Sequence, residues 1–339
     1  MSKKIVFFGA GAIGGSVGAW VAEHYENVWF LDQGEIAQAI KEKGITTYLE
    51  HHKDDAVNVK VKTIDSLSEC ADADVIVVCV KTYSLDKVCQ IIKSEVKGNP
   101  TIVALQNGIE NQKIIPKYFD KVIYCVIEYN AWIDEPMIIG YQKKGALIFG
   151  TNNDAMMLEM NEIAGIFNLG VETHTTDRLL DAVHTKMIIN LTNSLTTLIG
   201  LNFVEIPNRV LFKKLLTNLS YEGTKIVKAA GYKEFKVKGM PSWTIMKLGC
   251  KLPFFLSKGI FEKNVKKMVI SSMAQDVLQR KGQATELDTL NGYIVALADK
   301  FNVKAPYNKA VYEMCRREFA KPDFKPVPVE TVYAEVKKY

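Results

Sequence analysis

The sequence predicts an α/β protein of two domains: a doubly wound, mostly parallel sheet with helices on both faces, followed by an all-helical domain. Three observations carry this. Short apolar runs alternate with helical patterns through residues 1–175, as strands joined by crossover helices do. Two of the runs, Val75-Ile-Val-Val-Cys-Val80 and Ile102-Val-Ala-Leu105, have no polar alternation, as expected of strands buried on both faces. From Thr176 onward only helical patterns continue, which puts the domains at 1–175 and 176–339. A chain of 339 residues is also too long for one ordinary core.

The elements follow in order. Strands are expected at Lys4–Phe8, Val28–Leu31, Asp74–Val80, Thr101–Leu105 and Val122–Val126, with helices at Ala12–His24, Gln33–Lys43 and Ser84–Val96. Runs at Met137–Gly140, Ala146–Phe149 and Val171–Thr173 read as the antiparallel end of the sheet. Helices are expected at Asp177–Ile199, Arg209–Ala230, Val265–Gln279 and Glu286–Lys300. The tail Lys321–Val329 holds Pro322, Pro326 and Pro328 and reads as an extended arm.

Composition narrows the function. Hydrophobic residues make up 48% and charged residues 24%, the profile of a soluble globular protein. A net charge of +5 without a Lys/Arg cluster among aromatics argues against a nucleic-acid partner. It suits an anionic small molecule about as well as it suits an ordinary surface. Six cysteines without a Cys-x-x-Cys pair read as reduced thiols of a cytoplasmic protein. Five histidines lack metal-ligand spacing, so no metal is expected. The apolar run Ile5–Phe8 is too short for a secretory signal. The apolar stretch Met240–Phe261 is interrupted by Lys247, Lys251, Pro253 and Lys258, so no membrane span is expected there; a mobile lid or an interface helix fits better.

The chemistry begins at Gly9-Ala10-Gly11-Ala12-Ile13-Gly14, directly after the first strand and at the head of a helix. Gly9 permits the tight turn, Gly11 lets backbone approach a pyrophosphate, and Gly14 lets helix and strand pack closely, with phosphates held at the helix N-terminus. This is the Rossmann-type dinucleotide turn. Asp32 closes the second strand, 18 positions beyond Gly14. A carboxylate there accepts from ribose hydroxyls and repels a 2′-phosphate, which favours NAD over NADP.

In the second domain Lys186, Asn190, Asn193 or Ser194, and Thr197 fall at helical spacing on one face, among Met, Ile and Leu. A buried ammonium needs a partner, and a carboxylate-bearing substrate is one; a solvated stripe on a surface helix is the alternative. His184, two residues from Lys186, points elsewhere and reads as packed. Thr285-Glu286-Leu287-Asp288 reads as a helix start, with Thr285 as N-cap and Asp288 closing a capping box. On these grounds alone Glu286 is a first-turn acid that stabilises the helix dipole.

Together these residues resemble the ketopantoate reductase (2-dehydropantoate 2-reductase) family. The resemblance runs through nearly the whole chain: Gly9-Ala-Gly-Ala-Ile-Gly14, Val80-Lys81, Gln106-Asn107-Gly108, Lys186-x-x-x-Asn190, Ser271-Ser272-Met273-x-Gln275-Asp276 and Thr285-Glu286-x-Asp288-x-x-Asn291-Gly292. It implies NAD(P)H-dependent reduction of a 2-oxo acid to a 2-hydroxy acid, and a helical C-terminal domain of the 6-phosphogluconate-dehydrogenase-like type. Lys186 matches the catalytic lysine that protonates the keto oxygen, and Glu286 the acid that positions and tunes it. Asn107 matches a position beside the nicotinamide that also serves substrate, and Lys81 a lysine near the cofactor. Asn190 and Ser272 match substrate-binding positions, and Ser194 stands where the family commonly has a second asparagine. The chain departs from the family at Asp32, where a basic residue linked to NADPH is usual. It departs also at Ser194, in a longer stretch between Asp276 and Glu286, in Glu128-Tyr-Asn-Ala-Trp132 and in the extended region 237–261. The expected partner is a small anionic 2-oxo acid, with a homodimer open. Other readings are an NAD-dependent hydroxy acid or opine-type dehydrogenase, and a non-catalytic dinucleotide sensor.

Overall fold

The structure, a computed structural model, describes residues 2–279 and 285–339. It divides into two compact units, Met1–Leu179 and Leu180–Tyr339.

Unit 1 opens with β1 (Ile5–Phe8), α1 (Ala12–Ala22), β2 (Val28–Leu31) and α2 (Gly34–Lys43). Three short strands follow, β3 (Ile45–Leu49), β4 (Val57–Val59) and β5 (Lys62–Thr63). Then come β6 (Val75–Val78), α3 (Leu85–Glu95), β7 (Thr101–Ala104), the single turn α4 (Asn111–Ile114) and β8 (Val122–Ile127). The unit closes with β9 (Ala131–Glu135), β10 (Ile138–Tyr141), β11 (Leu147–Gly150), α5 (Met157–Phe167) and β12 (Thr173–Thr176).

Eight strands form the main sheet in the order β12-β11-β8-β7-β6-β1-β2-β5. From β5 to β8 neighbours run parallel, and β11 reverses against β8. β1 and β6–β8 are buried at every position, which is why their sequences lack alternation. Phe7 stacks on Phe30 at 5.3 Å within this core. The chain moves outward from β1 through β2 and then resumes on the other side at β6. That reversal opens a crevice at the carboxyl ends of β1 and β6, where doubly wound sheets bind ligands.

The run at 137–140 does not belong to the antiparallel end of this sheet, contrary to the sequence expectation. It forms β10 of a second sheet, ordered β4-β3-β10-β9, while β11 and β12 do take the expected edge. The second sheet covers α1. A Cβ on Gly15 would stand 2.5 Å from Ile139 Cδ1, and one on Gly18 would stand 2.5 Å from the Phe30 ring. Packed between two sheets, α1 needs small residues on both sides, hence its sequence AIGGSVGAWVA.

Unit 2 is helical. α6 (Leu179–Leu198) and α7 (Arg209–Ala229) are long; α8 (Trp243–Lys251) and α9 (Phe254–Val265) follow, then one turn, α10 (Ser272–Ala274). α11 (Tyr293–Lys300), α12 (Pro306–Phe319) and α13 (Val329–Val336) complete it. The continuous helix expected over 265–279 is broken. α9 stops at Val265, the β-branched pair Val269-Ile270 disfavours helix, and Ser271 caps a new start by accepting from Ala274 N at 3.1 Å. A π-helical turn then runs from Gln275 to Gln279, and a second from Asp288 to Gly292 leads into α11. Of the longer stretch between Asp276 and Glu286, residues 280–284 lie outside the described residues. The proline-rich arm is real but short. Val327 N donates to Leu198 O at 2.8 Å and fastens it to the end of α6, and α13 follows. No helix among the described residues is long and apolar enough to cross a membrane.

Candidate active site

In unit 1 every residue assigned to the dinucleotide lies at the carboxyl edge of the main sheet. Gly9 follows β1 with φ +99°, a left-handed backbone that favours glycine. A Cβ on Gly14 would stand 2.2 Å from Gly9 O and 2.6 Å from Cys79 Cβ, so this position must be bare for α1 to lie against β6. A Cβ on Gly11 would meet nothing within 4 Å. The helix behind it has Gly11 as N-cap, no side-chain cap and no acid in its first turn. An open approach to uncapped backbone N–H groups fits a pyrophosphate. Beneath the turn, burial pushes the Cys79 thiol well up, so it is a packed, protonated neighbour.

Asp32 stands at the end of β2, half-buried. Its Oδ2 accepts from Ala10 N at 2.5 Å and its Oδ1 from Gln33 N at 2.7 Å. The carboxylate therefore shapes the glycine turn. Lys81 follows β6 and is partly buried. Gln106, after β7, donates through Nε2 to Val78 O at 2.8 Å and Val80 O at 3.1 Å. It ties the ends of β6 and β7 together and so fixes the half-buried Asn107 beside it. Gln106 Oε1 is buried without a partner among the described residues. Its place in Gln106-Asn107-Gly108 is the one signal of this role in the sequence.

In unit 2 the polar stripe is on α6. Lys186 is partly buried, Asn190 is 6% exposed, and Ser194 and Thr197 are fully buried; the residues between include Met187, Ile188 and Leu191, all in the core. This is not a solvated stripe. Asn291 Nδ2 donates to Ser194 Oγ at 2.7 Å, and Ser194 Oγ donates to Leu191 O. His184 is bonded on both ring nitrogens. Its Nδ1 donates to Leu180 O at 2.7 Å, so its Nε2 accepts from Tyr293 Oη at 2.8 Å. The ring stacks on Tyr232 at 3.6 Å, and burial lowers its pKa. His184 is a packed, neutral residue.

The bonds at His184 and Ser194 flank Lys186 and Asn190 along α6. The segment carrying Glu286, Asn291 and Tyr293 is thereby laid along the same stretch of helix. Further along, Thr197 Oγ1 lies 3.3 Å from Ser271 Oγ, beside the exposed Ser272. The capping box expected at 285–288 does not form. Thr285 Oγ1 accepts from Leu287 N at 3.3 Å, while Asp288 turns out to accept from Tyr312 Oη at 2.8 Å. The π-helical turn begins here, so the spacing of an ordinary helix start is lost. Asn291, with Tyr293, ties this segment to α6; its place in Asn291-Gly292 is the signal of it in the sequence. Among the described residues no group of three or more His, Cys, Asp or Glu could hold a metal ion.

Two family models match the chain. That described as ketopantoate reductase PanE/ApbA covers residues 5–154, and that described as ketopantoate reductase PanE/ApbA C terminal covers residues 178–318. Among curated relatives, the 2-dehydropantoate 2-reductase of Pyrococcus abyssi is 28% identical over 92% of this chain and 97% of its own. That of Archaeoglobus fulgidus is 23% identical over 93% and 97%. Among solved structures, a D-mandelate dehydrogenase with NADH and anilino(oxo)acetate superposes with a TM-score of 0.77 at 22% identity, covering 95% of this chain and 99% of that one. A PanE/ApbA family ketopantoate reductase from Ralstonia eutropha gives 0.74 at 22% identity over 94% and 99%. These likenesses carry the fold.

Proposed function

The chain belongs to the ketopantoate reductase family, an oxidoreductase family, and from that premise we propose that it reduces a small 2-oxo acid, ketopantoate or a close analogue, with Lys186 as the general acid. The observation that carries this reading is the polar stripe of α6, headed by the partly buried Lys186 in an otherwise apolar helix, with the segment of Glu286 fastened along it.

When bound, the nicotinamide dinucleotide supplies the hydride. The residues that would hold it are Gly9, Ala10, Gly11, Ala12, Ile13 and Gly14 at the phosphates, Asp32 at the ribose, and Lys81 and Asn107 further along the sheet edge. Lys186 Nζ donates a hydrogen bond to the keto oxygen, stabilises the negative charge that grows there, and delivers the proton that completes the 2-hydroxy acid. Glu286 positions the lysine. Asn190, Ser272 and Asn107 bind substrate. Ser194 is expected to act through Asn291 rather than directly, since its hydroxyl is fully buried and already bonded on both sides.

A second reading rests on Asp32 and on the D-mandelate dehydrogenase likeness: an NADH-dependent reductase of a bulkier 2-oxo acid. Steady-state rates with ketopantoate and with aryl and branched 2-oxo acids, each with NADH and NADPH, separate the two. Turnover of ketopantoate supports the first reading. Its absence with both cofactors, alongside turnover of another 2-oxo acid, removes ketopantoate and keeps the chemistry.

A further inference from the structure

The region 236–267 contains eight lysines and one glutamate, a net charge of +7. The whole chain carries +5, so the remainder is slightly acidic and this region holds the entire positive excess. Its one carboxylate, Glu262, is taken by Arg209 of α7, at 2.9 and 2.6 Å.

The same region exposes apolar side chains. On α9 the inward face is narrow, formed by Ser257, Phe261 and Val265. The outward face presents Phe255 at 76%, Leu256 at 63% and Ile260 at 70% exposure. These three fall on one side of the helix with Gly259 and Lys263. α8 behaves alike: Met246 is buried, while Ile245 and Leu248 are more than half exposed. Lys251, Lys258 and Lys263 stand exposed beside these residues. Leu252-Pro253 joins the two helices, and Lys213 of α7 donates to Leu252 O at 2.5 Å, pinning the joint.

We propose that α8 and α9 form a docking surface for an anionic phospholipid bilayer, with Phe255, Leu256 and Ile260 entering the headgroup boundary and the lysines meeting lipid phosphates. Exposed apolar clusters of this kind mark interaction sites. Apolar tips with flanking lysines on short helices match interfacial rather than spanning segments. Charge chooses the occupant. A second copy docking the same face would set two strongly positive regions against each other, whereas an anionic bilayer complements both features. The lysines that exclude a span in the sequence are those that suit a surface.

Cosedimentation of the full chain with vesicles of phosphatidylcholine alone, and of phosphatidylcholine mixed with phosphatidylglycerol, tests this. Partition onto the anionic vesicles should exceed that onto neutral ones by at least about tenfold and fall with added salt, each lysine contributing roughly fivefold. Two triple variants, Phe255→Ser/Leu256→Ser/Ile260→Ser and Lys251→Glu/Lys258→Glu/Lys263→Glu, should each lose about tenfold or more while keeping native circular dichroism, because all six side chains are exposed. Equal partition on both vesicles, or undiminished binding by the serine variant, overturns the proposal. So does a wild-type dimer that the serine variant turns into a monomer, which would assign the face to a second copy.

Discussion

Asp32 joins a structural role to a proposed one, and the two compete under mutation. Its carboxylate accepts from Ala10 N within the glycine turn, and in the proposed reading it also binds the ribose. Asp32→Arg should shift the NADPH to NADH ratio of kcat/KM upward by about tenfold or more, a difference of about 1.4 kcal/mol. KM for both cofactors should also rise, because the turn loses its tie. An unchanged ratio would show that Asp32 does not read the ribose. His184 supports the lysine turn from a different direction. Burial lowers its pKa, so the unfolded chain binds the proton more readily. Stability should therefore be full above the ordinary value of about 6.5 and decline as pH falls below it. Urea midpoints across that range should slope in the wild type and flatten in His184→Gln; equal slopes would place the titration elsewhere. The sequence already offers Asp32 as a ribose ligand and His184 as a packed residue; the bond of Asp32 to Ala10 N and the two ring bonds of His184 are what it does not show. A residue's second bond is a property of the fold.

Among the elements, the glycine turn separates packing from binding. Gly14→Ala puts a methyl 2.2 Å from Gly9 O, so it should lower stability by about 1–3 kcal/mol and also weaken dinucleotide binding. Gly11→Ala points into open space. It should leave the melting temperature nearly unchanged and raise the dinucleotide Kd. Calorimetric melting with fluorescence titration reads both; a Gly11→Ala variant that binds normally would show that no phosphate comes close there. The β1-turn-α1 unit was legible because strand, glycines and helix are contiguous, and β6 and β7 because doubly buried strands are written as unbroken apolar runs. The second sheet was not. β3 and β9 read ITTYL and AWIDE, short and part polar, and the sheet exists through pairings of β3 with β10 across about ninety residues. The turn from Thr285 to Asp288 matched a capping box in letters, but a π-helical turn there sends Asp288 to Tyr312. α12 was overlooked although Pro306 at its first turn is a start signal. Behind it, Glu222 of α7 accepts from Asn308 N at 3.0 Å and Tyr307 N at 3.3 Å, a long-range cap that only the fold assembles.

Across the whole molecule the chemistry divides between two units. Unit 1 supplies an uncapped helix N-terminus, a carboxylate bonded to the glycine turn and a stapled sheet edge. Unit 2 supplies the lysine, the amide of Asn190 and the segment of Glu286. The family's two models follow the same division, one for each part of the chain. A dinucleotide sensor would need only the first set. A reductase needs the second, and its most exacting member is Lys186. The direct test is therefore Lys186→Ala, with turnover of a 2-oxo acid and affinity for the dinucleotide measured on the same preparation. The expected result is a kcat lower by about two to four orders of magnitude, the scale of lost acid catalysis, with dinucleotide affinity nearly unchanged. Near-normal turnover by that variant would contradict it.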